Sequence, residues 1–122
     1  MTDKEYEDMK QKVRASVATW RDRLGLQDYL IHIDYVRGIC EEVPERAAIT
    51  NVFWVYRDAY ITFYLEQMLN SYKSIDEIVA HELTHILLAP ISCNLEEGYE
   101  QQNEFVTENI AQLFIKKHKE EK

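Results

Sequence analysis

The sequence is poor in the residues that interrupt regular structure, with three glycines and two prolines among 122 residues. It also has no repeat, low-complexity tract or linker-like stretch that would indicate a boundary between two domains. We therefore predict a single domain over residues 1–122, a length that is usual for one compact unit. Hydrophobic residues make up 46% of the chain, which is enough for a core and excludes wholesale disorder.

Cysteine and long apolar runs are scarce as well. The two cysteines, Cys40 and Cys93, are too few for a disulfide framework, and their spacing fits no thiolate metal site. No apolar run approaches the roughly 18 residues of a membrane helix, and the charged segment Met1–Asp8 lacks the apolar centre of a signal peptide. These absences predict a cytoplasmic protein with reduced cysteines and without a membrane partner.

Basic residues are outnumbered: 14 Lys and Arg stand against 22 Asp and Glu, so the formal net charge is −8. A surface that follows nucleic-acid phosphates usually shows a basic excess, and none is present here. The tail 116–122 mixes basic residues with two glutamates, a pattern typical of a solvated helix end. Nucleic acid is therefore not expected as a partner.

The first part of the chain predicts a helix followed by a strand. Apolar residues recur at steps of three or four from Tyr6 to Leu24, and Gly25 then provides a stop, which predicts a helix over residues 3–23. Apolar and polar residues alternate over residues 29–36, the period of a half-buried strand. His32 lies on the polar face of that strand and is interpreted as an ordinary strand histidine.

Two further strands are predicted between Ala48 and Leu65, where β-branched and aromatic residues predominate. The polar pair Arg57-Asp58 interrupts this segment and indicates a tight turn. In the second strand, one face is expected to carry three apolar side chains, those of Ile61, Phe63 and Leu65.

Two helices are predicted to close the domain. The segment Ser74–Glu77 fits a capping box, and the helix that follows is expected to end near Ala89-Pro90. The last helix is predicted over residues 96–118. Its main apolar stripe comprises Phe105, Val106, Ile110 and Leu113. A helix, three strands and two helices in this order predict an α+β domain with a small three-stranded sheet.

The first closing helix contains His81-Glu82-Leu83-Thr84-His85, which reads H-E-x-x-H. Residues four apart on a helix differ by about 40° of rotation, so the two imidazoles point the same way and can provide two ligands of a tetrahedral zinc site. Glu82 lies on the same side and could act as a general base on a water. The alternative is a pair of core histidines satisfied by hydrogen bonds, with Glu82 in a buried ion pair.

A third ligand has to come from elsewhere in the chain. The Met-turn zincins continue to a Gly and a third His, but Leu88 and Ile91 occupy those positions here. The last helix offers a row of glutamates on one face: Glu97, Glu100, Glu104 and Glu108. We expect Glu97 and Glu100 to be solvated, whereas the inner members of the row are candidates for a buried positive partner.

These residues resemble the glutamate zincins, or gluzincins, in which a helix written N-E-x-x-S-D follows the H-E-x-x-H helix. The segment Asn103–Glu108 matches that pattern with Thr for Ser and Glu for Asp, and Glu104 lies 19 positions after His85. The resemblance implies a zincin-like fold, Zn²⁺ as cofactor and Glu104 as third ligand. It also implies that Glu108 orients a ligand histidine through the free ring nitrogen.

Two related resemblances leave the third ligand open between Glu104 and Glu108. Phage-repressor-cleaving regulatory peptidases show E-x-x-A-x-x-F, which the segment Glu108–Phe114 matches, and this alignment would make Glu108 the ligand. The whole layout is similar to small metallopeptidases of phages and bacteria related to the SprT-like group, with Trp20 and Leu24-Gly25-Leu26 in corresponding places. The third histidine and zinc ribbon of SprT-like proteases are missing here.

The function implied by the resemblance is peptide-bond hydrolysis of a protein or peptide substrate, with Glu82 as the catalytic base. Tyr99 is the expected donor to the carbonyl oxygen, and the strand Tyr60–Leu65 is the expected sheet edge for substrate pairing. The alternative is a non-catalytic module that zinc stabilises for binding or regulation. A partner-binding domain with a vestigial site is a third possibility.

Overall fold

The computed structural model describes residues 1–92 and 98–121. Four helices are present in this part of the chain: α1 (Asp3–Arg23), α2 (Leu65–Asn70), α3 (Ile75–Ser92) and α4 (Glu100–Glu120). Three strands form one sheet: β1 (Leu30–Val36), β2 (Ala48–Phe53) and β3 (Asp58–Tyr64). The predicted α+β class is therefore confirmed. Over the described ranges, no helix combines the length and apolarity needed to cross a bilayer.

The first helix has the bounds that its periodicity predicts. Thr2 and Glu5 form a capping box at its start, so two otherwise unpaired backbone N–H groups are satisfied. The apolar stripe is buried, with Trp20 and Val13 almost inaccessible to solvent. Gly25 follows with a positive φ of 69°, a left-handed conformation that glycine adopts without a steric cost.

The sheet has the order β1-β3-β2, with β3 in the centre. Strand β1 runs parallel to β3, whereas β2 runs antiparallel to it. Alternation along β3 buries Ala59, Ile61 and Phe63, as predicted for that face. Leu65 is also buried, but it begins α2 instead of ending the strand. The short helix α2 was not predicted, because six residues give too little periodicity to recognise.

The connection between β2 and β3 differs from the predicted tight turn. A single 3₁₀ turn, Trp54–Tyr56, follows β2, and Arg57 then adopts a left-handed conformation with φ of 55°. Arg57 is held in this position by an ion pair with Asp28, with Nη1 2.5 Å from Oδ2. The β-branched and aromatic residues of this segment indicated a strand, but Trp54, Val55 and Tyr56 form part of the turn that reverses the chain.

Helix α3 lies at the centre of the domain and carries the H-E-x-x-H segment. Its cap is the predicted Ser74, whose Oγ accepts a hydrogen bond from the Glu77 N–H at 3.1 Å. Two side chains of α1, Ser16 and Trp20, donate to Asp76 at 2.5 and 3.2 Å. The predicted end at Ala89-Pro90 is wrong: the helix passes through Pro90 to Ser92. A proline in the last turn removes only one hydrogen bond, so the helix can continue.

Helix α4 shows a different face to the core from the one predicted. Its buried residues are Thr107, Ala111 and Ile115, which lie beside the glutamate row. Two members of the predicted stripe, Phe105 and Leu113, are 70% and 66% exposed. The predicted stripe is wrong because the helix is rotated to bring its glutamates against α3. The predicted helix start at residue 96, Cys93 and Glu97 lie outside the described residues.

Candidate metal centre

The two histidines of the motif lie together on one side of α3. Their ring centroids are 4.9 Å apart, and their side chains are only 15% and 18% exposed. The carboxylate of Glu104 on α4 meets both rings, with Oε2 3.0 Å from His81 Nε2 and Oε1 3.1 Å from His85 Nε2. The predicted residues His81, His85 and Glu104 are therefore brought to one point.

The three side chains fit a divalent metal ion. One ligand atom from each of His81, His85 and Glu104 lies within 4.8 Å of the other two. Zinc bonds to nitrogen and oxygen near 2.0–2.2 Å, which separates donors in a tetrahedral site by about 3.3–3.5 Å. The Nε2–carboxylate distances of 3.0 and 3.1 Å are close to that separation. Two imidazoles and one carboxylate form a donor set that suits zinc and neighbouring transition metals.

Glu108 lies on the opposite side of the His81 ring from Glu104. Its Oε2 is 3.2 Å from His81 Nδ1, although the angles do not make this a hydrogen bond and Nδ1 is buried without a hydrogen-bond partner. The Glu108 carboxylate also accepts from Lys73 Nζ at 2.5 Å and from Gln112 Nε2 at 3.1 Å. This position favours an orienting role for Glu108 and a ligand role for Glu104.

Glu82 is turned away from this carboxylate and toward the sheet. It is 8% exposed, and its Oε1 accepts a hydrogen bond of 2.7 Å from Thr50 Oγ1 on β2. Burial raises the pKa of Glu82 above its ordinary value, and the Thr50 hydrogen bond and the nearby histidines oppose this increase only in part. A carboxyl group with a raised pKa holds a proton more readily, which suits acid–base chemistry.

The charges around the two histidines shift the other pKa values in a consistent way. Hydrogen bonds from His81 and His85 hold the pKa of Glu104 well below its usual range. Burial alone would lower the pKa of His81, but the Glu104 hydrogen bond and the surrounding carboxylates raise it above its ordinary value. The Glu104 carboxylate and the protonated His81 imidazole therefore stabilise each other's charged forms.

A cleft of about 910 Å³ opens over the histidines and Glu82. One wall is β2, which among the described residues pairs only with β3 and leaves its other edge free. The prediction that Tyr60–Leu65 is the substrate edge is wrong, because β3 lies in the middle of the sheet. Sequence patterns define the faces of a strand but not its neighbours. The edge beside the candidate metal ligands is β2.

The other residues named in the sequence analysis lie outside the group of three candidate ligands. Tyr99 precedes α4, is 49% exposed and does not line the cleft; Tyr72 does line it and is 95% exposed. Glu100 is exposed, as predicted. His32 is an ordinary strand histidine that contacts Asp58 Oδ1 at 2.9 Å.

Two residues of the site were missed in the sequence, Thr50 and Lys73. Thr50 reaches Glu82 across 32 positions and Lys73 reaches Glu108 across 35. Neither residue belongs to a motif, and contacts over such separations are not visible in local patterns.

Comparisons with protein-family models, curated proteins and solved structures found no match. Any functional assignment therefore depends on the geometry and chemistry of the site. Two features are central: the convergence of His81, His85 and Glu104, and the buried glutamate between the histidines in the same helix.

Proposed function

We propose that this protein is a zinc-dependent peptidase with a zincin-like fold. The observation that supports this most strongly is the meeting of His81, His85 and Glu104 at one point. Glu82 adds a buried carboxylate from the same helix, beside the open edge of β2. A site that only held a metal in place would not require Glu82, and it would usually have four protein ligands.

In the proposed reaction, bound zinc supplies the Lewis acidity that activates a water and polarises the scissile carbonyl. Glu82 accepts the proton of the attacking water and then donates it to the leaving amine. The Thr50 hydroxyl restricts the Glu82 carboxylate to one orientation, because it donates to Oε1 at 2.7 Å. Burial raises the pKa of Glu82, which makes its carboxylate a stronger base toward the proton of the water.

The proposed substrate is an extended protein segment that adds to the free edge of β2. Backbone groups of an unpaired edge strand are available for hydrogen bonding with an added strand. The cleft is lined by much of β2 and by Glu82 and both histidines, so a peptide paired with β2 would pass over them. Tyr72, at the same cleft, replaces Tyr99 as the proposed donor to the carbonyl oxygen.

The experiment that tests this function compares wild type with Glu82→Gln. We expect both to bind zinc, measured by elemental analysis after dialysis, because Glu82 is not one of the three candidate ligands. Cleavage of a fluorescently labelled unfolded protein should fall by about 10²–10⁴-fold, the usual effect of losing a general base. Glu7→Gln, an exposed change on α1, is the matched control. Equal cleavage by Glu82→Gln would refute the proposed role.

A second candidate function, a zinc-stabilised module without catalysis, is favoured by one observation. Helix α4 buries only Thr107, Ala111 and Ile115 among its residues, so a metal that joins it to α3 would strengthen a limited contact. The two candidates differ in the zinc-loaded protein. Zinc binding with no cleavage by wild type, over a panel of unfolded proteins, would support the module and contradict the peptidase.

A further inference from the structure

Lys73 lies at the edge of the candidate site, in the connection between α2 and α3. Its backbone is fixed by a hydrogen bond from its N–H to Ser71 Oγ at 3.1 Å. Its side chain is 27% exposed and extends to α4, where Nζ lies 2.5 Å from Glu108 Oε2. A cation that is mostly shielded from solvent and paired at this distance has more effect on its partner than a surface ion pair does.

The same Glu108 oxygen contacts both Lys73 and the candidate ligand His81. Oε2 is 2.5 Å from Lys73 Nζ and 3.2 Å from His81 Nδ1, so these three groups form a continuous row. Nδ1 is buried and has no hydrogen-bond partner among the described residues. Glu108 is thus the acceptor within reach of that ring nitrogen, and its position determines whether the nitrogen can donate.

The surroundings of Glu108 are otherwise acidic. Its second oxygen accepts from Gln112, whose amide also contacts Glu77, and Glu104 lies one turn away on α4. Like charges at this spacing repel one another. Without a cation, the Glu108 carboxylate would tend to turn outward toward water. The ammonium group of Lys73 offsets this repulsion and holds Oε2 against the His81 ring.

We propose that Lys73 is a positioning residue of the metal site, which acts through Glu108 on His81. The inference rests on the proposed function in so far as His81 binds the metal through Nε2. A neutral imidazole that ligates through Nε2 carries its proton on Nδ1, and a carboxylate beside Nδ1 fixes this tautomer and the ring orientation. Lys73 supplies the charge that fixes the carboxylate.

The test measures zinc affinity by competition with a chromogenic chelator. The variants are Lys73→Met, Glu108→Gln, the double variant and Lys73→Arg, with Lys12→Met as a matched control at an exposed position of α1. Loss of an orienting partner typically weakens metal binding by about 10–100-fold. We expect that loss in Lys73→Met, wild-type affinity in Lys12→Met, and partial recovery in Lys73→Arg. Circular dichroism of each metal-free variant at the assay temperature verifies that it is folded.

The double variant separates positioning from a general structural effect. If Lys73 acts through Glu108, adding Lys73→Met to Glu108→Gln should weaken zinc binding no further. Wild-type affinity in Lys73→Met, or additive losses in the double variant, would overturn the inference while zinc binding by wild type upheld the metal site. A wild-type protein that binds no zinc would overturn the proposed function and this inference together.

Discussion

The two helices that carry the candidate ligands are held in the fold in different ways. Helix α3 lies against α1, α4 and β2, and it buries Leu83 and Ile86 completely. Helix α4 buries three side chains and leaves Phe105 and Leu113 largely exposed. The histidines and Glu82 are therefore positioned by a helix with many buried side chains, whereas Glu104 is positioned by a helix that buries only three.

Because of this difference, the histidines and Glu104 are positioned by different kinds of interaction. Packing of α3 places the backbone that carries the two imidazoles, whereas contacts such as that between Glu108 and His81 Nδ1 orient the ring. Glu104 depends in addition on the polar contacts between α3 and α4, which include both histidines and the Lys73–Glu108 pair. A bound metal would consequently stabilise the docking of α4 more than the position of α3.

The largest expected effect comes from removing a histidine of α3. His85→Ala should lose zinc, because two remaining protein ligands hold a zinc ion poorly. The measurement is elemental analysis of chelator-free protein. His32→Ala, which removes an exposed histidine of β1, is the matched control and should keep its metal. Retention of zinc by His85→Ala would contradict the proposed ligand set.

Identical substitutions on the two helices would compare their packing directly. Leu83→Ala on α3 should lower the free energy of unfolding by about 2–5 kcal/mol, the usual cost of a cavity in a core. Leu113→Ala on α4 should change it by no more than about 0.5 kcal/mol, because its side chain is 66% exposed. Urea denaturation of the metal-free proteins measures both values. Equal decreases in the free energy of unfolding would mean that the exposed face of α4 is covered in solution.

The contact between β2 and α3 can be tested at Thr50. Thr50→Val removes the hydroxyl that donates to Glu82, and hydrogen bonds to charged groups contribute about 1.5–3 kcal/mol. We expect kcat of the zinc-loaded enzyme to fall by roughly 10–100-fold with zinc affinity unchanged. Thr50→Ser keeps the donor and should retain most activity. A lower zinc affinity in Thr50→Val would show that Thr50 acts on the metal site as a whole.

The smallest expected effect is a pH dependence of opposite sign for the two helices in metal-free protein. The pKa of Glu82 is raised above 4.5, so between 4.5 and that higher value the folded state keeps a proton that the unfolded state releases. Its contribution to stability thus falls as pH rises. The pKa of Glu104 is lowered below 4.5, so its contribution is present above 4.5 and is lost as pH falls toward the lowered value.

Gln variants would show these two contributions in thermal unfolding. At pH 7, Glu82→Gln should melt above wild type, because it removes a carboxylate charge that is costly to bury. Glu104→Gln should melt below wild type at the same pH. At pH 4 the Glu82→Gln difference should shrink, whereas the Glu104→Gln difference should persist, because the strongly lowered pKa of Glu104 keeps its carboxylate ionised there. A lower melting temperature for Glu82→Gln at pH 7 would mean that its carboxylate stabilises the metal-free fold.

The sequence predicted those parts of the site that local patterns describe. The bounds of α1, the Ser74 cap and the buried face of β3 follow from periodicity and capping chemistry, and the structure confirms them. The spacing of His81 and His85 also predicted that their two side chains lie on the same side of the helix. The order of the strands could not be predicted, because it depends on contacts between distant segments, whereas the glutamate row of α4 did indicate the face that meets α3.

The free edge of β2 restricts the kind of segment that can bind to it. Six residues of strand extend over about 20 Å, and a paired segment of similar length has to present its own backbone N–H and C=O groups. Helices and internal sheet strands already use those groups, so a compact target must first open locally. If peptide pairing at β2 occurs, target choice will depend on how easily a segment unfolds as well as on its side chains.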